Sequence, residues 1–323
     1  MSKPTLEVAE LEITYSRPHR EKLLAVREVS FTVWPGQIYG LVGESGCGKT
    51  SIVRAVVGLQ RPTKGQIYLN GDDMWSLRRP VWREVMASQI GVVFQNPTAS
   101  LDPRMTVAEI LQDPMRIHRV GSKAIRERRA AELLELVRLP TRALAQFPKE
   151  LSGGQCQRVA IGRAIALMPK LLVADEPTAA LDVSIRNQIL NLLLDLRDEL
   201  QFAMLVISHD IAAVSYLAGS LGVMYLGRLV ETGSVAEVRE HFEHPYTALL
   251  LSAQTTLQRS FRDTTVSASP IRSSGSEGCP FQPRCLRATE ECSVAFPSAT
   301  SLDVNHVVHC IHPLRDVAAQ GTV

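Results

Sequence analysis

One octapeptide constrains this chain more than any other feature. Gly43-Glu44-Ser45-Gly46-Cys47-Gly48-Lys49-Thr50 fits the pattern G-x-x-x-x-G-K-[ST] in full. An apolar β-like run, Gln37 to Val42, precedes it. After it, Ile52, Val53, Val56, Val57 and Leu59 recur at helical spacing, with Gly58 at the helix end. A strand, glycine loop and helix in this order turn backbone N–H groups inward around phosphate oxygens, and the helix adds its positive dipole end. Gly43, Ser45, Gly46, Cys47, Gly48 and Ser51 belong to this expected cradle. Lys49 can reach the β- and γ-phosphates, and the Thr50 hydroxyl can ligate Mg²⁺. The bland reading is an ordinary Gly-rich turn, against which the flanking strand and helix argue.

A phosphate cradle needs an acid at a neighbouring strand end to complete the metal shell. The apolar run Leu171-Leu172-Val173-Ala174 ends in Asp175-Glu176. Asp175 is placed to hold Mg²⁺, directly or through water, and Glu176 to polarise an attacking water as general base. His209 closes another apolar run, Met204 to Ser208. A lone histidine there is usually structural, but at this sheet edge contact with a γ-phosphate is the better reading. Gln95, in Val93-Phe94-Gln95-Asn96-Pro97, also ends a strand and can reach Mg²⁺ or the lytic water. Tyr15 offers an aromatic face for adenine. The ligand set expected is ATP with Mg²⁺.

The rest of the chain reads as α/β. Leu6 to Tyr15 alternates apolar and polar residues, Val29 to Val33 follows, and Trp34-Pro35-Gly36 turns into the next strand. Residues near 76–150 hold polar helices, among them Ser122 to Arg138. The two continuous apolar runs flank a helical segment, Val183 to Leu200, giving a βαβ unit of buried parallel strands. No run of 18 or more apolar residues occurs, so no membrane span is expected. Glu7 and Glu10 stand where a signal peptide needs an apolar stretch, which points to the cytosol. A net charge of +2 gives no reason to invoke nucleic acid.

Leu151-Ser152-Gly153-Gly154-Gln155 completes a set: Tyr15, the glycine loop, Gln95, this segment, Asp175-Glu176, Ala180-Leu181-Asp182 and His209, in that order. With that set the chain resembles the nucleotide-binding subunits of ABC transporters over about residues 5–250. The resemblance implies a P-loop NTPase of ABC type, with a RecA-like parallel-sheet core, an antiparallel β subdomain and a helical subdomain at about 97–165. It implies two subunits sandwiching two ATP molecules, each between one P-loop and the partner's Ser152, Gly153, Gly154, Gln155 and Asp182. A helix from Gln155 to Leu167 would aim its N-terminus at that phosphate. Asn96 to Val107 would face a membrane partner. Cys156 stands where the family is often basic, and Gly162 where Ala is common.

Phe94-Gln95-Asn96-Pro97, Leu101 to Val107 and His244-Pro245-Tyr246-Thr247 look like the oligopeptide/dipeptide and nickel importers. So do Cys279-Pro280-Phe281, Arg284-Cys285, Cys292 and Cys310. The resemblance implies the ATP-hydrolysing subunit of a peptide importer, peripheral on the cytoplasmic face of the inner membrane. Its partners would be two transmembrane permease subunits, a second ATP-binding subunit and an extracytoplasmic solute-binding protein. Nickel, glutathione or a sugar is an alternative cargo. A soluble ABC ATPase acting on nucleic acid is disfavoured, because coiled-coil insertions and a basic-aromatic stripe are missing from the sequence.

The expected division is an ATP-binding domain at 1–255, a linker at 256–278 rich in Ser, Thr, Gly and Arg, and a Cys-rich extension at 279–323. In the importer family the four cysteines resemble ligands of a [4Fe–4S] cluster. Their spacings are five, six and seventeen intervening residues, without the paired knuckles of zinc ribbons. Zinc stays open, with His306, His309 and His312 as substitute ligands. The expected role is a structural staple for a tail with little core of its own.

Overall fold

The computed structural model describes residues 3–17, 20–76, 88–179, 181–252, 277–303 and 305–314. Most of the expected linker, and Ala180 of the Ala180-Leu181-Asp182 segment, lie outside the described residues.

Strands β1 (Leu6–Arg17), β2 (Arg20–Val33), β4 (Lys64–Leu69) and β5 (Asp72–Asp73) form an antiparallel sheet in the order β2-β1-β4-β5. The alternation read in the sequence is visible in burial: Leu6, Val8, Leu11 and Ile13 face the core. An irregularity in register separates Val8 from Leu11, at Glu10, whose φ is 47°.

Among the described residues the main sheet has eight strands, in the order β11 (Thr300–Asp303), β12 (His306–Val308), β10 (Arg228–Ser234), β9 (Ser220–Tyr225), β3 (Ile38–Val42), β8 (Ala203–Ser208), β7 (Leu171–Asp175), β6 (Ile90–Val93). Its parallel part is β3 (Ile38–Val42), β6 (Ile90–Val93), β7 (Leu171–Asp175), β8 (Ala203–Ser208) and β9 (Ser220–Tyr225). Every residue of β3, β7 and β8 is buried, which explains their unbroken apolar runs. Their side chains still alternate. Leu171, Val173, Leu205, Ile207 and Leu41 pack with α1 (Lys49–Val56) and the antiparallel sheet. Leu172, Ala174, Met204, Val206 and Val42 pack on the opposite face with the helices.

Those helices are α2 (Pro97–Ser100), α3 (Val107–Ile117), α4 (Lys123–Leu136), α5 (Gly153–Ala164), α6 (Val183–Leu200) and α7 (Ile211–Leu217). Thr106 and Ser152 open α3 and α5 with reciprocal capping boxes to Glu109 and Gln155. The capping box starts α5 two residues earlier than the expected Gln155, and the helix ends at Ala164 rather than Leu167. Gly162 is explained by crowding: a Cβ there would lie 3.0 Å from Leu111 and 3.3 Å from Val137. Cys156 is buried, and its thiol donates to the Pro148 carbonyl at 3.5 Å.

The C-terminal part adds β10 (Arg228–Ser234), α8 (Val235–Glu240), α9 (Pro245–Ser252), α10 (Glu291–Val294), β11 (Thr300–Asp303) and β12 (His306–Val308). β12 pairs antiparallel with β10, so the cysteine segment extends the main sheet. Phe281 is fully buried against Tyr225 and Tyr246, with ring centroids 5.3 and 5.5 Å away. The tail therefore shares the main core instead of depending on an interior of its own.

Candidate functional site

The glycine loop leaves β3 and enters α1. Gly48 has φ 112°, and a Cβ on it would strike the Ala25 carbonyl, so no other residue fits there. Lys49 is 5% exposed, and its Nζ donates to the carbonyls of Gly43 (2.7 Å) and Glu44 (3.0 Å). Cys47 is buried, and burial raises its thiol pKa above the ordinary value. Ser45, Gly46 and Thr50 are exposed on the mouth of the loop. Tyr15 donates its hydroxyl to Ser51 Oγ at 3.2 Å, which sets the ring beside the start of α1.

Asp175 ends β7 and hydrogen-bonds the Thr50 hydroxyl. Burial, then the neighbouring Glu176, raises its pKa, while Lys49, Arg54 and Thr50 oppose the shift. These oxygen donors, a hydroxyl and a carboxylate already in contact, suit a hard cation such as Mg²⁺. Glu176 follows with φ 49°, a conformation that costs a non-glycine residue on the order of 1 kcal/mol. Its N–H is held by the Ile207 carbonyl at 2.8 Å.

Two other expected residues meet on the Glu176 carboxylate. Gln95 Nε2 donates to Glu176 Oε2 at 3.3 Å, and His209 Nδ1 lies 3.1 Å from the same oxygen. The adjacent Asp210 caps α7 and is gripped by Arg186 at 2.6 Å, which fixes the turn carrying His209. The sequence reading did not single out Arg186 or Asp210.

Ser152, Gly153, Gly154 and Gln155 make other contacts. Ser152 and Gln155 spend their capping bonds on each other. Gly153 and Gly154 pack beside Leu181 and Ile185 of the next turn and helix. Asp182 precedes α6 as its cap residue, is exposed, and makes no side-chain capping bond.

Cys279, Cys285, Cys292 and Cys310 line one small cavity, together with His244, Phe281 and His312. Burial raises the Cys279 thiol to about 11 and the Cys310 thiol to about 12, and raises Cys285. His244 is 1% exposed, and burial lowers its pKa to about 3. Its Nδ1 accepts from the Tyr246 N–H at 3.1 Å, so Nε2 carries the proton, and that N–H has no acceptor among the described residues. Among the described residues no group of three or more His, Cys, Asp or Glu could hold a single metal ion. His306 bonds Glu231 at 2.8 Å and His309 the Pro297 carbonyl at 2.9 Å, and neither lines the cysteine cavity. His312 bonds Thr289 at 3.0 Å.

Comparison with known proteins agrees with the motifs. The family described as ABC transporter matches residues 26–179, and the one described as oligopeptide/dipeptide transporter, C-terminal region, matches 230–292. The oligopeptide transport ATP-binding protein OppF of Haemophilus influenzae is 38% identical over 91% of this chain and 90% of its own. A putative peptide import ATP-binding protein of Brucella ovis is 42% identical over 88% and 90%. OppF of Salmonella typhimurium is 38% identical over 96% of both chains. Among solved structures, the dimeric ATP-binding cassette MJ0796 bound to ADP and Pi superposes with TM-score 0.65 at 29% identity, covering 71% of this chain and 98% of that one. Fold, motif order and near full-length relatives converge: this chain belongs to the ATP-binding subunits of the oligopeptide/dipeptide family of ABC transporters.

Proposed function

We propose that this chain is the ATPase that powers a peptide importer, with Glu176 as the general base. The observation that carries the assignment of the base is the meeting of Gln95 and His209 on one Glu176 oxygen, beside the Thr50–Asp175 pair. Glu176 takes a proton from the attacking water, Gln95 orients that water, and His209 steadies the carboxylate and faces the γ-phosphate. The loop from Gly43 to Gly48, with Ser51, binds the phosphates, Lys49 leaves its carbonyl partners to reach them, and Tyr15 stacks on adenine. Thr50, Gln95 and Asp175 would hold Mg²⁺, which neutralises phosphate charge when bound.

Ser152 to Gln155, of which Ser152 and Gly153 are exposed, and the uncapped Asp182 serve the ATP of a partner subunit. In that position the α5 N-terminus offers N–H groups and a dipole to the γ-phosphate. A groove of ≈ 430 Å³ lined by Ile90, Phe94, Ser100, Pro114, Ile117 and Leu167 supports docking of a permease next to the Asn96 to Val107 segment. Two permease subunits, a second ATP-binding subunit and an extracytoplasmic solute-binding protein complete the assembly. The chain then lies peripherally at the inner membrane, and among the described residues no helix is long and apolar enough to cross it. Residues 1–255 serve ATP, 256–278 link, and 279–323 carry the cysteines.

The four cysteines fit a [4Fe–4S] cluster better than zinc. Zinc needs its donors to converge on one point, whereas a cubane spreads four thiolates over four irons. Cys279, Cys285, Cys292 and Cys310 would hold it, and the unpaired His244 N–H faces the same cavity as a donor to sulfur. Such a group supplies a structural tie.

ATP turnover by the reconstituted transporter tests the function. Peptide-loaded binding protein should stimulate it; turnover indifferent to peptide but responsive to another solute would overturn the cargo.

A further inference from the structure

Glu44, the first variable residue of the phosphate loop, is held from three sides. Its backbone N–H donates to the hydroxyl of buried Tyr246 at 2.8 Å, and its carbonyl accepts from Lys49. Its carboxylate is gripped by Arg284, whose Nη1 lies 3.1 and 3.0 Å from the two oxygens. The same Nη1 donates to the Tyr225 hydroxyl at 3.2 Å, and the guanidinium carbon lies 5.8 and 5.6 Å from the centroids of Tyr225 and Phe281. Arg284 is 14% exposed and immediately precedes Cys285. The cysteine segment thus touches the nucleotide site directly, through one ion pair spanning 240 residues of sequence.

We propose that Arg284 is a positioning residue of the nucleotide site, which neutralises Glu44 and thereby couples the order of the four-cysteine segment to ATP affinity. The inference rests on the reading of Gly43 to Thr50 as the phosphate cradle. The physical reason is charge. Glu44 places a carboxylate on the loop that must receive the highly anionic triphosphate. Paired with Arg284, that charge is cancelled and its backbone is fixed. Unpaired, it repels the ligand over a distance comparable to the Debye length of about 8 Å at physiological salt. A partly exposed pair would contribute little to stability, but its effect on a multiply charged ligand is larger, because the repulsion scales with ligand charge.

The test is the dissociation constant of a fluorescent ATP analogue for the full chain and its variants. Arg284→Ala should raise it about three- to tenfold at low salt, with the ratio shrinking as salt screens the repulsion. Arg284→Lys should recover most of the loss. Adding Glu44→Gln to Arg284→Ala removes the uncompensated carboxylate and should recover most of the loss. Cys292→Ser, which disturbs the segment without touching Glu44, should weaken binding in the wild-type background and not in the Arg284→Ala background. No Arg284→Ala effect, or one that Glu44→Gln does not reverse, would overturn the charge argument, and an unchanged constant for Cys292→Ser would overturn the coupling. Lys49→Ala separates the premises: if it binds the analogue as wild type does, the cradle reading itself has failed.

Discussion

Lys49 is buried among the carbonyls of its own loop, so its ammonium is already desolvated and aimed at the loop's interior. Exchanging those carbonyls for phosphate oxygens costs little reorganisation. Lys49→Ala should weaken ATP binding by roughly 10- to 100-fold, the loss of a charge-assisted contact, as read by nucleotide titration. Wild-type affinity would contradict the assignment. Cys47 makes the opposite kind of prediction. Its thiol is 3% exposed and its pKa is raised, so little thiolate forms at neutral pH. A maleimide should label it slowly, and ATP should slow the labelling further; fast labelling unaffected by ATP would contradict this placement. At this scale the sequence carried the cradle, Gln95, Glu176 and His209, because each belongs to a short contiguous motif. It did not carry the Glu44–Arg284 pair or the Arg186–Asp210 pair, since a contact between distant segments leaves no local pattern.

Elements were legible in proportion to how their burial repeats along the chain. The helix Val183 to Leu200 and the strands β3, β7 and β8 followed from apolar periodicity or unbroken apolar runs. β4, half exposed, and β12, only three residues long, carry no such signature; β12 becomes a strand because β10 offers an edge. Two predictions belong to that edge. Phe281→Ala should destabilise the chain by about 3–5 kcal/mol, since it empties a fully buried site shared with Tyr225 and Tyr246; a melting temperature like wild type would mean the tail is loosely attached. His306, on β12, has its pKa raised by the hydrogen bond to Glu231 on β10. A raised folded pKa gives stability that is complete below the unfolded value of about 6.5 and is lost as pH rises through the folded value. His306→Gln should therefore cost more stability at pH 6 than at pH 9 by chemical denaturation, and an equal cost at both would remove the ion pair from the account.

At the scale of the whole molecule, the proposed function makes this chain half of a machine. Gln95 and His209 meet on Glu176, next to Asp175, while Ser152 and Gln155 bond each other at the start of α5, where Ser152 and Gly153 are exposed. If the head-to-tail pairing proposed above holds, the lone chain should hydrolyse ATP poorly until it pairs. The cysteine cavity adds a prediction of composition: protein purified without oxygen should carry about four irons and absorb broadly in the visible. Stoichiometric zinc with no iron would replace the cluster. The central claim is that Glu176 activates the water. Glu176→Gln, assayed for both ATP affinity and turnover in the assembled transporter, tests it most directly. The account predicts affinity within about threefold of wild type and turnover lower by at least about 100-fold. Turnover at the wild-type rate would contradict it.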